Sequence, residues 1–296
     1  MMLTGLWWRA ALTLAVLGSL LSVLAVGAGQ AEPGRDFVAF SYNGTSGSED
    51  IFLLDVSQRL VAHLIDHPQA DYTPVISPDG WQMAFASNRN SISEIYLYDL
   101  AGGHLRSLTP PGINDYTPAW SPDGAQIAFM SRHDDERSST VYIMNNDGTE
   151  RRELWNGFWP TWSPDGTKLA FISERADGTA SLHTIKPDGS AVRRLTHTIN
   201  AYMPTWSPDG ARIAFLCRGS SVICLIDPNG GNLFDLTADY DIIGTLPRWM
   251  PNNEQLIFEV DNASIRNGIY VIHADGSNLR RLTIPNFTDT KPRWMP

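Results

Sequence analysis

Tyr202-Met-Pro-Thr-Trp-Ser-Pro-Asp-Gly210 decides how this chain is read, because the segment recurs. Tyr72-Thr-Pro-Val-Ile-Ser-Pro-Asp-Gly80, Tyr116-Thr-Pro-Ala-Trp-Ser-Pro-Asp-Gly124 and Phe158-Trp-Pro-Thr-Trp-Ser-Pro-Asp-Gly166 are further copies. Leu246-Pro-Arg-Trp-Met-Pro-Asn-Asn253 is degenerate, and Lys291-Pro-Arg-Trp-Met-Pro296 stops short. The leading prolines are Pro74, Pro118, Pro160, Pro204, Pro247 and Pro292, at intervals of 44, 42, 44, 43 and 45 residues. A period of about 40–45 residues matches four short strands and their turns, the unit of a propeller blade.

Each repeat carries four strand signals. Pro-x-Trp begins the first strand, where a missing proline N–H is tolerated. Ser-Pro-Asp-Gly is a turn: proline presets φ, Asp suits the next position and Gly takes the conformation after it. The second strand is Met83-Ala-Phe85, Ile127-Ala-Phe129, Leu169-Ala-Phe171, Ile213-Ala-Phe215 or Leu256-Ile-Phe258. The third is an Ile-Tyr-like segment, as at Glu94–Tyr98 and Ile269–Ile272. A second Gly turn follows, and the fourth strand ends in Leu-Thr at Leu108-Thr109, Leu195-Thr196, Leu236-Thr237 and Leu282-Thr283. No stretch inside the repeats has sustained helical periodicity.

The ends predict closure. Residues 37–65 supply only three strand signals, and the chain ends just after a lone first strand. One C-terminal strand added to three N-terminal ones completes blade one. The expectation is an all-β, six-bladed propeller of four-stranded antiparallel blades over residues 36–296, with no free inner edge.

Before it, residues 1–28 read as a signal peptide or N-terminal membrane anchor, and 29–35 as a linker. Arg9 precedes a charge-free apolar run over residues 10–28, and Val26-Gly27-Ala28 and Gly29-Gln30-Ala31 offer small residues for cleavage. The 19-residue run also approaches the ~20 needed to span a bilayer. Export to the periplasm or outside the cell follows. Formal net charge is −10, and an acidic body argues against a nucleic-acid partner, which needs a basic face. Two cysteines, Cys217 and Cys224, suit neighbouring strands of one hairpin; a cross-strand disulfide and two buried thiols both stay open.

The repeat Pro-x-Trp-Ser-Pro-Asp-Gly, then Ile-Ala-Phe, Ile-Tyr, Asp-Gly and Arg-Leu-Thr, resembles the TolB-type, WD-like propeller repeat over residues 36–296. The resemblance implies an exported propeller that binds another protein or a small extracellular ligand, without the α/β domain that TolB carries ahead of its propeller.

In a propeller, the loops entering the first strand share one face with those joining strands two and three. That channel-mouth face collects Asp71, Tyr72, Asp115, Tyr116, Trp159, Tyr202, Arg89, Arg132, Arg175 and Arg218, alongside Phe158, His133, Asp239, Tyr240 and Asp289. Aromatic and Arg residues are typical of binding hot spots; against this, they also suit inter-blade packing and ion pairs. The repeated Asp79, Asp123, Asp165 and Asp209 lie in separate blades and cannot converge on one ion, so they read as turn residues. Trp120, Trp162, Trp206, Trp249 and Trp294 read as inter-blade packing. There is no Gly-x-Ser-x-Gly elbow, His-Glu-x-x-His or phosphate loop. The expected function is a non-catalytic, monomeric binding scaffold with no cofactor. A lyase- or lactonase-type enzyme with a cation held in the channel is the alternative.

Overall fold

Short apolar runs between Gly-bearing turns give strands, and no helix is present among the described residues. The computed structural model describes residues 37–43, 48–55, 60–132, 139–174, 178–217, 222–240, 242, 244–250, 252–260, 268–281 and 293–294. The expected signal or anchor and the linker lie outside them. No helix among the described residues is long and apolar enough to cross a membrane.

Five antiparallel meanders follow one another, each from one segment. They are β4–β7 (Asp71–Ile76, Gln82–Ser87, Glu94–Asp99, Leu105–Ser107), β8–β11 (Asn114–Trp120, Gln126–Arg132, Thr140–Asn145, Arg152–Asn156) and β12–β15 (Phe158–Trp162, Leu169–Glu174, Ala180–Ile185, Arg193–Arg194). Then come β16–β19 (Ala201–Trp206, Ile213–Cys217, Val222–Ile226, Phe234–Asp235) and β20–β23 (Gly244–Trp249, Gln255–Val260, Gly268–His273, Arg280–Arg281). The chain ends build one more four-stranded sheet, in the order β24-β1-β2-β3, from β1 (Phe37–Asn43), β2 (Glu49–Asp55), β3 (Leu60–Ile65) and β24 (Arg293–Trp294).

The expectation of six blades is therefore corrected to five complete blades, each from one unbroken segment; the chain ends form a composite closing sheet. The reason lies in the truncated last repeat. Among the described residues its inner strand β24 pairs Trp294 with Phe40 and Arg293 with Ser41, whereas the other inner strands run five to seven residues. The closing sheet does meet both neighbours, β1 contacting β4 and β24 contacting β20.

The blades hold one another. Phe85, Phe129, Phe171, Phe215 and Phe258 are fully buried. Phe129, for example, packs on Val75, Ala84, Ala86, Ile95 and Leu97 of the preceding blade. Burial of each such side chain is worth about 1.5–3 kcal/mol. The Pro-x-Trp indoles reach across the same seams: Trp120 Nε1 donates to the Val75 carbonyl and Trp162 Nε1 to the Ala119 carbonyl, each at 3.2 Å. On the outer side, Arg106 donates to the Asp147 carbonyl of the next blade at 2.9 Å, and Arg152 does the same to Pro187. The Leu-Thr motif has a local task. Oγ1 of buried Thr109, Thr196 and Thr237 accepts the N–H of Ile95, Leu182 and Ile223, each at 3.0 Å.

Cys217 and Cys224 form a disulfide with Cα atoms 5.9 Å apart. Cys217 stands opposite Val222, and Cys224 opposite Phe215. The bridge therefore runs along the diagonal of the hairpin, on one face.

Two outcomes test this frame. Deleting residues 291–296 removes β24, and the melting temperature, followed by circular dichroism, falls by at least about 4 °C. Thr196→Val leaves the buried Leu182 N–H without an acceptor and costs about 1–3 kcal/mol in urea unfolding.

Candidate functional site

The inner strands share a local irregularity that shapes the channel mouth. Register shifts between Tyr72 and Val75, Tyr116 and Ala119, Phe158 and Thr161, and Tyr202 and Thr205. Within these bulges Thr73, Thr117, Trp159 and Met203 take φ of 53°, 49°, 53° and 50°. Left-handed backbone at a β-branched or bulky residue is costly and persists only where the surroundings impose it. Each of the four immediately precedes the repeat's leading proline.

Beside each bulge sits an aromatic residue, half-buried. The Tyr72 and Tyr116 rings stack with centroids 6.1 Å apart. Trp159 meets Tyr202 edge-on at 5.9 Å and Phe158 edge-on at 4.9 Å. An arc of aromatic rings thus follows four successive blades. Tyr72 is also anchored: its hydroxyl lies 2.7 Å from Asn88 Oδ1, to which it donates, and 2.8 Å from Ser93 Oγ. Ser93 in turn donates to the Asp115 carbonyl at 2.7 Å, tying this blade to the next.

The acidic and basic residues expected on this face divide differently. Asp71 is fully buried and accepts from Arg89 at 2.9 Å. The Arg89 guanidinium lies 4.6 Å above the Tyr96 ring centre and also donates to Ser87 Oγ. Asp115 is fully buried as well, but its partner is Arg151, at 3.2 Å, not Arg132. Arg151 lies 4.7 Å over Tyr142 and donates to Ser131. Burial pushes both carboxyls above their ordinary range, against the pull of the Ser and Arg donors. Burial, then the neighbouring Glu94 carboxylate, pushes the Tyr96 phenol up to about 12. These groups lock the blades internally.

Arg132 ends β9 and is exposed. Arg175, Arg218, His133 and Asp289 lie outside the described residues. Tyr240 donates its hydroxyl to the Gly276 carbonyl at 2.8 Å and packs between blades. Arg151 was not expected from the sequence; its signal is that blades with Asp at the start of the inner strand also need a cation long enough to cross the blade.

The repeated turn Asp residues have local partners. Oδ1 of Asp79, Asp123, Asp165 and Asp209 accepts from the Ser two residues earlier, each at 2.6 Å, and from the N–H two residues later. The Ser hydroxyl first, then turn N–H groups, hold the carboxyls of Asp123, Asp165 and Asp209 below the ordinary range. On this turn side a cleft of 540 Å³ opens among Asp209, Arg212, Trp249, Glu254, His273 and Asp275. It belongs to the face opposite the aromatic arc.

Four-stranded antiparallel blades packed face to face define the class of the fold, a β-propeller. The chain belongs to the TolB beta propeller domain family, which matches residues 25–158 and 110–296. No curated protein matches it in sequence. Among solved structures it is similar to TolB from Acinetobacter baumannii, at 22% identity and a TM-score of 0.68 over 82% of this chain and 64% of that one. A structure from Agrobacterium tumefaciens described as TolB gives 20% and 0.67, over 84% and 89%. An oligogalacturonate lyase in complex with manganese gives 16% and 0.66, over 85% and 75%. The chain thus spans less than two thirds of the Acinetobacter protein.

Removing one member of a buried ion pair is costly. Arg89→Met leaves Asp71 without its cation and lowers stability by about 3 kcal/mol in urea unfolding; adding Asp71→Asn recovers part of the loss. The turn carboxyls have the opposite pH sign. A lowered folded pKa contributes stability above the unfolded value, near 4, that is lost as pH falls through the folded one. Asp165→Ala is therefore least stable relative to the parent above about pH 5, and the difference narrows toward pH 2.

Proposed function

We propose that this chain is an exported, non-catalytic propeller that captures a protein, or a small extracellular ligand, on its channel-mouth face, without a cofactor. The aromatic arc of Tyr72, Tyr116, Phe158, Trp159 and Tyr202 carries the reading. These rings are half-buried, held in place by bulged strands and by one another. Rigid aromatic surface lowers the ordering cost of binding and supplies the large contact area of a hot spot. Asp71, Asp115 and Arg89, in contrast, are engaged inside the blades and serve as scaffold, while Arg132 remains open to a partner.

Export is supported by the N-terminal sequence and by the disulfide, which persists in oxidising compartments. The non-catalytic reading rests on the engagement of the repeated acids in turns and seams. The lyase among the fold neighbours shares 16% identity and bears on the fold alone.

The experiment is affinity capture from envelope and culture fractions, using the parent and a Tyr116→Ala/Trp159→Ala/Tyr202→Ala variant of matched melting temperature. The parent retains a specific partner and the variant loses at least about tenfold of it. Equal capture by both removes the arc from the reading. Cleavage of oligogalacturonate by the parent replaces the non-catalytic reading with the enzymatic one.

A further inference from the structure

We propose that Asp50, His63 and Asp66 form a binding site for a divalent transition-metal cation of the zinc class, on one face of the closing sheet. The inference is independent of the binding role of the mouth. One coordinating atom from each residue lies within 4.8 Å of the others. Asp50 is 2% exposed, and its Oδ2 stands 3.3 Å from His63 Nε2. His63 and Asp66 are open to solvent, which gives a cation both an approach and room for a water ligand.

The backbone explains why the three meet. β2 and β3 pair Phe52 with His63, and then Ile51 with Ile65, so Leu64 is an additional residue. In a regular strand, residues 63 and 66 would point to opposite faces, being an odd number of positions apart. The bulge at Leu64 returns Asp66 to the face of His63. That face also carries Asp50 and Phe52 from the neighbouring strand. Bulges recur where a side chain must be re-aimed. The His63 ring is further fixed by stacking on Phe52, with centroids 4.4 Å apart and planes 8° from parallel.

The donor set selects the metal. One imidazole nitrogen with two carboxylate oxygens suits zinc and its neighbours, whereas magnesium and calcium favour oxygen alone. Bonds of about 2.0–2.2 Å in a tetrahedron imply ligand-to-ligand edges of roughly 3.3–3.5 Å. The Asp50–His63 separation already has that length, and Asp66 completes the set by a side-chain rotation. Water takes the fourth position. The other cluster of metal-ligating side chains among the described residues, Cys217, Cys224 and Asp235, offers no thiolates because its sulfurs are bonded to each other. A cation at Asp50–His63–Asp66 would cross-link β2 to β3 in the sheet whose inner strand is shortest.

The test uses the full chain, purified without a polyhistidine tag, stripped with chelator and titrated calorimetrically with zinc chloride, magnesium chloride or calcium chloride. Zinc is expected to bind one per chain and to raise the melting temperature by a few degrees at saturating concentration, with magnesium and calcium far weaker. His63→Ala and Asp66→Asn, each shown folded by circular dichroism, should weaken zinc binding by at least about tenfold. Absence of zinc binding at ~100 µM overturns the site. So does unchanged affinity in His63→Ala, which would place the zinc elsewhere, or equal binding of all three cations, which would mean attraction to exposed carboxylates only.

Discussion

No blade of this protein can bury its own two faces. A four-stranded sheet with apolar residues on both sides must find a neighbour for each, and here every neighbour is another blade. The recurring Phe of the second strand is the centre of that constraint. Phe85, Phe129, Phe171, Phe215 and Phe258 are each buried at a seam, and the Trp of Pro-x-Trp adds an indole hydrogen bond across two of the same seams. Everything else about the blades, from the turn chemistry to the Thr that accepts a strand N–H, serves to present those side chains in register. The seam also explains why the chain ends must meet: a blade left without a neighbour would expose one of its faces to water.

Given that constraint, the blades differ where the seam allows. The residue three positions before the leading proline is Asp71, Asp115, Gly157, Ala201 and Gly244 in turn. Where it is Asp, an arginine lies across the aromatic pair of that blade, Phe85/Tyr96 or Phe129/Tyr142, and neutralises it. Where it is Gly157, a Cβ would come within 2.4 Å of the Ile172 carbonyl oxygen and 2.7 Å of the Phe171 ring, so the close approach of backbone and ring leaves no room for a side chain. In the fourth blade Ala201 stands opposite Cys217, and Cys224 takes the place of the second aromatic, opposite Phe215. The disulfide therefore occupies the position of the ion-pair lock. One spatial slot is filled by a charge pair, by a close-packed ring or by a covalent bond.

The legible part of the sequence was its punctuation. Ser-Pro-Asp-Gly turns, the inner-strand prolines and the Leu-Thr endings placed the strands because each is a local signal repeated in phase. The blade count was less secure for a physical reason: the last repeat carries the motif, but its described inner strand is the two residues of β24, and spacing between prolines does not measure pairing. The partner of Asp115 was hidden because Arg151 lies 36 residues away and reaches across a whole blade. The bulges were hidden because their residues, Thr73, Thr117, Trp159 and Met203, are not of one chemical type. Only their shared place before proline marks them.

That same irregularity bears on function. A regular inner strand would alternate its side chains between the two seams and leave little for the mouth. Each bulge adds a residue on the inner strand, so the preceding aromatic follows a different register from the residues after the proline and packs half-buried at the margin of a seam, as Tyr72, Phe158 and Tyr202 do. Four successive bulges turn this local departure into two groups of contacting rings, Tyr72 with Tyr116 and Phe158 with Trp159 and Tyr202. The strain is paired with partial exposure of the neighbouring rings. The row of half-buried rings and the blade packing are thus two products of one repeat, separated by a shift in register at its first strand.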